Sequence, residues 1–125
     1  RSEKRDPGKA WEQVLERAGQ ADRHLLYQPE YAEQVRGYRS EAVRNGVKGW
    51  VQEAKLVVSP WGFSLKGIRT EIDLWYGDED SIVPPPMGHY LNEHIPNTRW
   101  HFERGAGHFL FFQKWQEILE ALVED

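Results

Sequence analysis

The chain has 125 residues, no cysteine, six Trp, five Tyr and five Phe, and a formal net charge of −4, which fits one modest domain or a piece of a larger one. Without cysteine there are no disulfides, thiol nucleophiles or cysteine metal sites. Without a run of about 18 apolar residues, no membrane-spanning helix is expected. Residues 1–66 carry 12 Lys and Arg against 9 Asp and Glu, whereas residues 67–125 carry 4 against 11. That break near Gly67 marks a boundary between two segments, 1–66 and 67–125. The basic half has no dense Lys/Arg run, so nucleic-acid binding is not expected.

The first residues are charged and lack the apolar core of a secretory signal. Together with the missing cysteines this leads us to expect a cytoplasmic protein. The absence of an initiator Met reads as a cut into a longer chain, or as the result of tag removal. Residues 1–9 are expected to be loose, with a helix starting near Pro7-Gly8 that places Trp11, Val14, Leu15 and Ala18 on one face and ends at Gly19. A second helical stripe follows at Tyr31, Val35, Tyr38 and Ala42, which Asn45-Gly46 ends or kinks. A third runs through Val47, Trp50, Val51, Ala54, Val57 and Val58 up to Ser59-Pro60.

Pro60-Trp61-Gly62-Phe63 is a turn with two large rings, which either plug a hole beneath the turn or line a ligand pocket between segments. Beyond Gly67 the period changes. Ile72, Leu74 and Tyr76 alternate with Asp73 and Trp75, as a strand covered at least partly on both faces requires. Pro84-Pro85-Pro86 opens a helix over 87–95, since proline suits a first turn where no backbone donor is needed. Pro96-Asn97 ends it. Trp100 and Phe102 begin a second strand, closed by Gly105-Ala106-Gly107, and a last helix should bury Phe111, Trp115, Ile118, Leu119 and Leu122. Strand, helix, strand and helix in this order point to an α/β fold with parallel strands, because the gap from Tyr76 to Arg99 is long enough for a crossover.

In a parallel sheet all strands end on one edge, where ligands bind. Asp80 lies just past the end of the first strand and His108 just past the end of the second. With neighbouring strands about 4.8 Å apart, the two side chains leave from adjacent points. A carboxylate there can accept the imidazole Nδ1 proton, fix the tautomer and stabilise an imidazolium. Asp78 and Glu79 are rival acids, the first suited to shaping the turn and the second to facing water; Asp80 reaches furthest. The same pair could instead simply tie two loops together. His89 and His94, five apart on the crossover helix, do not stack on one face. His101 falls within a strand and His24 in a connection. No metal-binding spacing occurs, and neither a metal nor another cofactor is expected.

Residues 75–85, Trp-Tyr-Gly-Asp-Glu-Asp-Ser-Ile-Val-Pro-Pro, followed by Gly105-Ala106-Gly107-His108-Phe109, resemble the C-terminal end of the α/β-hydrolase fold superfamily. There Gly-x-x-Asp-x-x-Val-Pro carries the triad acid and Gly-x-Gly-His the triad base. The resemblance implies Asp80 as acid and His108 as base. Residues 59–63, preceded by helices, look like a cap returning into the hydrolase core. The family's nucleophile lies upstream of the acid in Gly-x-Ser-x-Gly, and no such motif occurs in these 125 residues. Ser64 in Gly62-Phe63-Ser64-Leu65-Lys66-Gly67 comes nearest, but the second glycine is one residue late, no strand precedes it and it follows the cap. Ser2, Ser40, Ser59 and Ser81 fit less well.

The expectation is therefore a partial α/β-hydrolase fold, with residues 1–66 as helical cap and 67–125 as the C-terminal portion of the core. The parent would be a serine hydrolase acting on an ester or similar acyl substrate, with Trp50, Trp61 and Phe63 as candidates for an apolar pocket under the cap. Its stability would require the missing N-terminal half or self-association, and this chain by itself would be inactive. The alternative is a hydrolase-like protein without a nucleophile, which only holds a ligand or partner.

Overall fold

The structure, a computed structural model, describes residues 7–123. Four helices, α1 (Pro7–Arg17), α2 (Gln20–Leu26), α3 (Pro29–Ala42) and α4 (Lys48–Val57), lead through a 3₁₀ turn at Leu65–Gly67 into strand β1 (Ile72–Gly77). Helix α5 (Pro85–His94), strand β2 (Thr98–Glu103) and two short helices, α6 (Leu110–Gln113) and α7 (Trp115–Ala121), complete the chain. This is a mixed fold of helices and a two-stranded parallel sheet. Of the start expected to be loose, residues 1–6 lie outside the described residues, and Pro7 already opens α1.

Helix α1 half-buries the face its sequence marks: Trp11, Val14 and Leu15 pack against a buried cluster that includes Ala18, just beyond its end. The carbonyls that a helix C-terminus leaves unpaired are taken up by Arg23. Its Nε donates to Leu15 O at 3.0 Å and its Nη2 to Ala18 O at 3.1 Å. Arg23 belongs to α2, a helix that the sequence pattern does not reveal. Seven residues span fewer than two turns, and Leu25 and Leu26 are adjacent rather than periodic. Those two leucines nevertheless join Ala18, Val35 and Phe109 as the buried core, flanked by Tyr31 and Phe112. Packing thus crosses the composition break near Gly67.

Both strands have aromatic residues that stack across the ladder. Leu74 pairs with Trp100 and Tyr76 with Phe102 in register, and the Tyr76 and Trp100 rings lie 5.4 Å apart. Helix α5 lies close to this face because Gly88 has no side chain; a Cβ there would sit 2.7 Å from the Tyr76 ring. Pro84 caps α5 with an extended backbone, and Ile95, before Pro96, leaves the helix the same way. Elsewhere on the sheet, Arg99 Nη2 donates to Asp73 Oδ2 at 2.8 Å, and His101 Nε2 lies 2.7 Å from Asp73 Oδ1. The Trp75 ring stacks on His101 with centroids 3.9 Å apart. Burial pushes the Asp73 carboxyl up, but the hydrogen bonds and charges of His101 and Arg99 outweigh it and hold the group below its ordinary value.

Two expectations need correction. The last helix is broken at Lys114, which both ends α6 and caps α7. Its ammonium is tied to Glu103 at 3.2 Å and to Glu117 at 3.0 Å. Phe109, Leu110 and Phe112 are the rings and chains that reach the interior, so Phe111, Trp115, Leu119 and Leu122, expected inside, are exposed. Nor do Trp61 and Phe63 plug a hole. They stack on each other at 5.8 Å with 53% and 62% of their surface exposed, and α4 before them contains no buried residue.

Leu26→Ala should therefore cost about 3 kcal/mol in urea unfolding, whereas Val57→Ala on the exposed face of α4 should change stability by less than about 0.5 kcal/mol. The depressed Asp73 carboxyl stabilises the fold above its ordinary value of 3.8, and that contribution is lost as pH falls through the lower folded value. Asp73→Asn should thus be less stable than wild type by about 2 kcal/mol at neutral pH, with the two converging below about pH 4 in unfolding curves recorded across pH.

Candidate acid–base site

The site is built where the two strands end. Gly77, last in β1, is buried, and a Cβ on it would run into the Ala106 carbonyl, so the loop after β2 lies directly on the end of β1. Beyond the strands the backbone keeps pairing. Asp78 N donates to Glu103 O at 3.0 Å and Glu79 N to Ala106 O at 2.9 Å. Asp78 Oδ1 accepts from Gly105 N at 2.7 Å, the turn-shaping role its place after Gly77 implies. Gly105 turns with φ of 70°, a left-handed conformation that suits glycine. Glu79 is exposed.

Asp80 is the acid that turns inward. Oδ1 accepts from Ile82 N and Val83 N, both at 2.8 Å, closing a tight turn before the prolines. Oδ2 lies 3.0 Å from His108 Nδ1. Because a carboxylate only accepts, this contact calls for a proton on Nδ1, and in a neutral ring that leaves Nε2 with its lone pair. The Asp80 side chain is 5% exposed and that of His108 34%, so the acid is shielded from water while the base has an open side. Phe109 packs edge-on against the imidazole at 5.5 Å. Burial, and next the negative charge of Asp80, push the Tyr76 hydroxyl above its usual range. The structure therefore brings Asp80 and His108 together across 28 positions of chain.

No hydrogen bond or ring contact among the described residues joins Trp50, Trp61 or Phe63 to them. All three are exposed, and the Trp61 indole donates to Val57 O at 3.4 Å. An open groove lined by Arg23, His24 and Tyr27 of the helical segment together with Glu79, Gly105 and Gln113 includes neither Asp80 nor His108 in its lining. His24 sits on α2, His89 packs against Trp100 and Phe102, and His94 Nδ1 meets Tyr90 O at 2.7 Å. Among the described residues no three His, Cys, Asp or Glu side chains group as a metal site would require. No helix there is long and apolar enough to cross a membrane.

One residue of the site is not legible in the sequence. Asp22, on α2 and 1% exposed, accepts from His108 N at 3.0 Å through Oδ2 and from Phe109 N at 2.9 Å through Oδ1. A Cβ on Gly107 would occupy the place of its carboxylate. Nothing in the pattern around an acid in a helix's first turn signals a partner 86 positions away.

Chemically, the pair can take a proton at Nε2 and hold the resulting imidazolium against Asp80. Among the described residues no hydroxyl hydrogen-bonds to Nε2. No protein-family model matches the chain, and comparison with curated proteins and with solved structures returns no match either.

Gly77→Ala should be among the most damaging single changes, costing about 3 kcal/mol or more, because backbone cannot yield as a flexible side chain can. Gly49→Ala, in the open helix α4 with nothing within 4 Å, should instead stabilise by about 0.5 kcal/mol. Thermal melts of the two variants check the contrast.

Proposed function

We propose that this chain supplies the acid and base of a serine hydrolase of the α/β-hydrolase superfamily, cleaving an ester or similar acyl bond with a nucleophile that lies outside these 125 residues. The observation that carries the reading is the 3.0 Å contact between Asp80 Oδ2 and His108 Nδ1 at the ends of two paired parallel strands, in the order acid then base. Glycine-rich turns set both residues, as in the Gly-x-x-Asp-x-x-Val-Pro and Gly-x-Gly-His motifs they resemble.

In this mechanism His108 Nε2 takes the proton of a serine hydroxyl as its oxygen attacks the acyl carbon. It then returns that proton to the departing alcohol, and in a second round activates the water that releases the acid. Asp80 keeps the imidazole in the reactive tautomer. The donors that stabilise the developing oxyanion would come with the nucleophile. Helices α1–α4 would form the cap, with Trp50, Trp61 and Phe63 as apolar cover for the acyl substrate, and the protein would work in the cytoplasm.

The remaining core, or a second copy of the chain, would cover the outer edges of β1 and β2 and the exposed apolar rings. The reading is supported by a sheet of only two strands among the described residues and by exposed Val57, Trp115 and Leu122. A non-catalytic binding protein, in which the Asp80–His108 contact only ties together the loops after β1 and β2, is the second reading.

Expressed together with its upstream coding sequence, the protein should be labelled on a serine by a fluorophosphonate. His108→Ala should abolish the labelling, and Asp80→Asn should slow it by about four orders of magnitude. Unchanged labelling of the His108 variant would remove the catalytic role, and a wild-type protein with no labelled serine would favour the binding reading.

A further inference from the structure

We infer that Asp22 is a positioning residue for His108, gripping the backbone of the base while Asp80 grips its ring. The inference rests on the acid–base reading above and adds the helical segment to it. Four observations converge. The Asp22 carboxylate is 1% exposed, and each oxygen accepts one backbone N–H, from His108 and from Phe109. A carboxylate is not buried without compensation, and these two donors provide it. Gly107 leaves the carboxylate its space, since a Cβ there would collide with it. And α2 itself is anchored, by Leu25 and Leu26 in the core and by the Arg23 guanidinium on the carbonyls closing α1.

Two adjacent N–H groups held by one carboxylate allow little rotation of the peptides on either side of His108. The direction of its Cα–Cβ bond is then set by where α2 sits. That direction decides whether Nδ1 meets Asp80 Oδ2 or swings away, because a ring on a loop between Gly107 and Phe109 has no strand to align it. Phe109, on the second N–H, is also the ring against His108 and a member of the core. The base is therefore preorganised from the opposite half of the chain, as a precise site requires.

Nuclear magnetic resonance on the ¹⁵N-labelled chain tests this, at about pH 8, where imidazole is neutral. Wild type should show His108 in the Nδ1–H form. Asp22→Asn, nearly isosteric, should lose the preference for that form and move toward the Nε2–H form favoured by imidazole in water. The His108 and Phe109 amide protons should shift upfield with it. Val35→Ala lowers stability from α3, away from the carboxylate, and should keep the Nδ1–H form. Asp22→Asn with shifted amides but a wild-type ring would reduce Asp22 to a staple and overturn the inference, as would equal loss of the tautomer in folded Val35→Ala.

If Asp22→Asn does not fold, native-state hydrogen exchange of wild type decides. The His108 and Phe109 amides should open together with Leu25 and Leu26, and exchange independent of α2 would overturn the inference. The acid–base reading fails separately. A wild-type ring without the Nδ1–H form, or one unmoved by Asp80→Asn, would sink that reading whatever Asp22 does.

Discussion

A buried carboxylate has to find donors, and this molecule uses that demand twice at one histidine. Asp80 satisfies its oxygens with two backbone N–H groups of its own turn and the His108 ring. Asp22 satisfies its pair with the backbone of His108 and Phe109. Each arrangement is a solution to desolvation before it is anything else, since an ion taken from water without partners costs several kcal/mol. Their common result is a side chain held at ring and backbone from two separate parts of the chain.

Glycine makes this close approach feasible. At Gly77 and Gly107 the space of a Cβ is already occupied, by the Ala106 carbonyl and by the Asp22 carboxylate respectively. The turn after β1 and the loop after β2 interlock as continuations of the parallel ladder, through Asp78 to Glu103 and Glu79 to Ala106. The sheet thus delivers Asp80 and His108 to one edge with a relative placement set by backbone hydrogen bonds. The Asp73, Arg99 and His101 contacts bind the same two strands further back.

The apolar surface is distributed in a way that bears on the proposed role. Core packing joins α1, α2 and α3 to Phe109 and Phe112, while α4, the Trp61–Phe63 turn and much of α7 leave large side chains in water. Isolated apolar residues on a surface are ordinary. Faces of this extent, next to strand edges that pair with nothing among the described residues, accord with a proposal in which further sheet or a second copy covers them.

Elements whose causes are local can be read from residue order alone. Apolar periods mark α1 and α3, alternation marks β1 and β2, and prolines and glycines mark where α5 and the strands stop. The position of Asp80 and His108 just past two parallel strands is also readable, because strand ends share an edge whatever packs on them. Which apolar stripes lie inside is a matter of packing: the stripes of α4 and α7 resemble that of α1 in residue type, and burial depends on what stands opposite. The folded structure alone disclosed α2, too short to show a period, and the part played by Asp22, whose partners lie 86 and 87 positions away. A hydrogen bond between a side chain and a distant backbone leaves no mark on the residue types it joins, because every non-proline residue offers the same N–H.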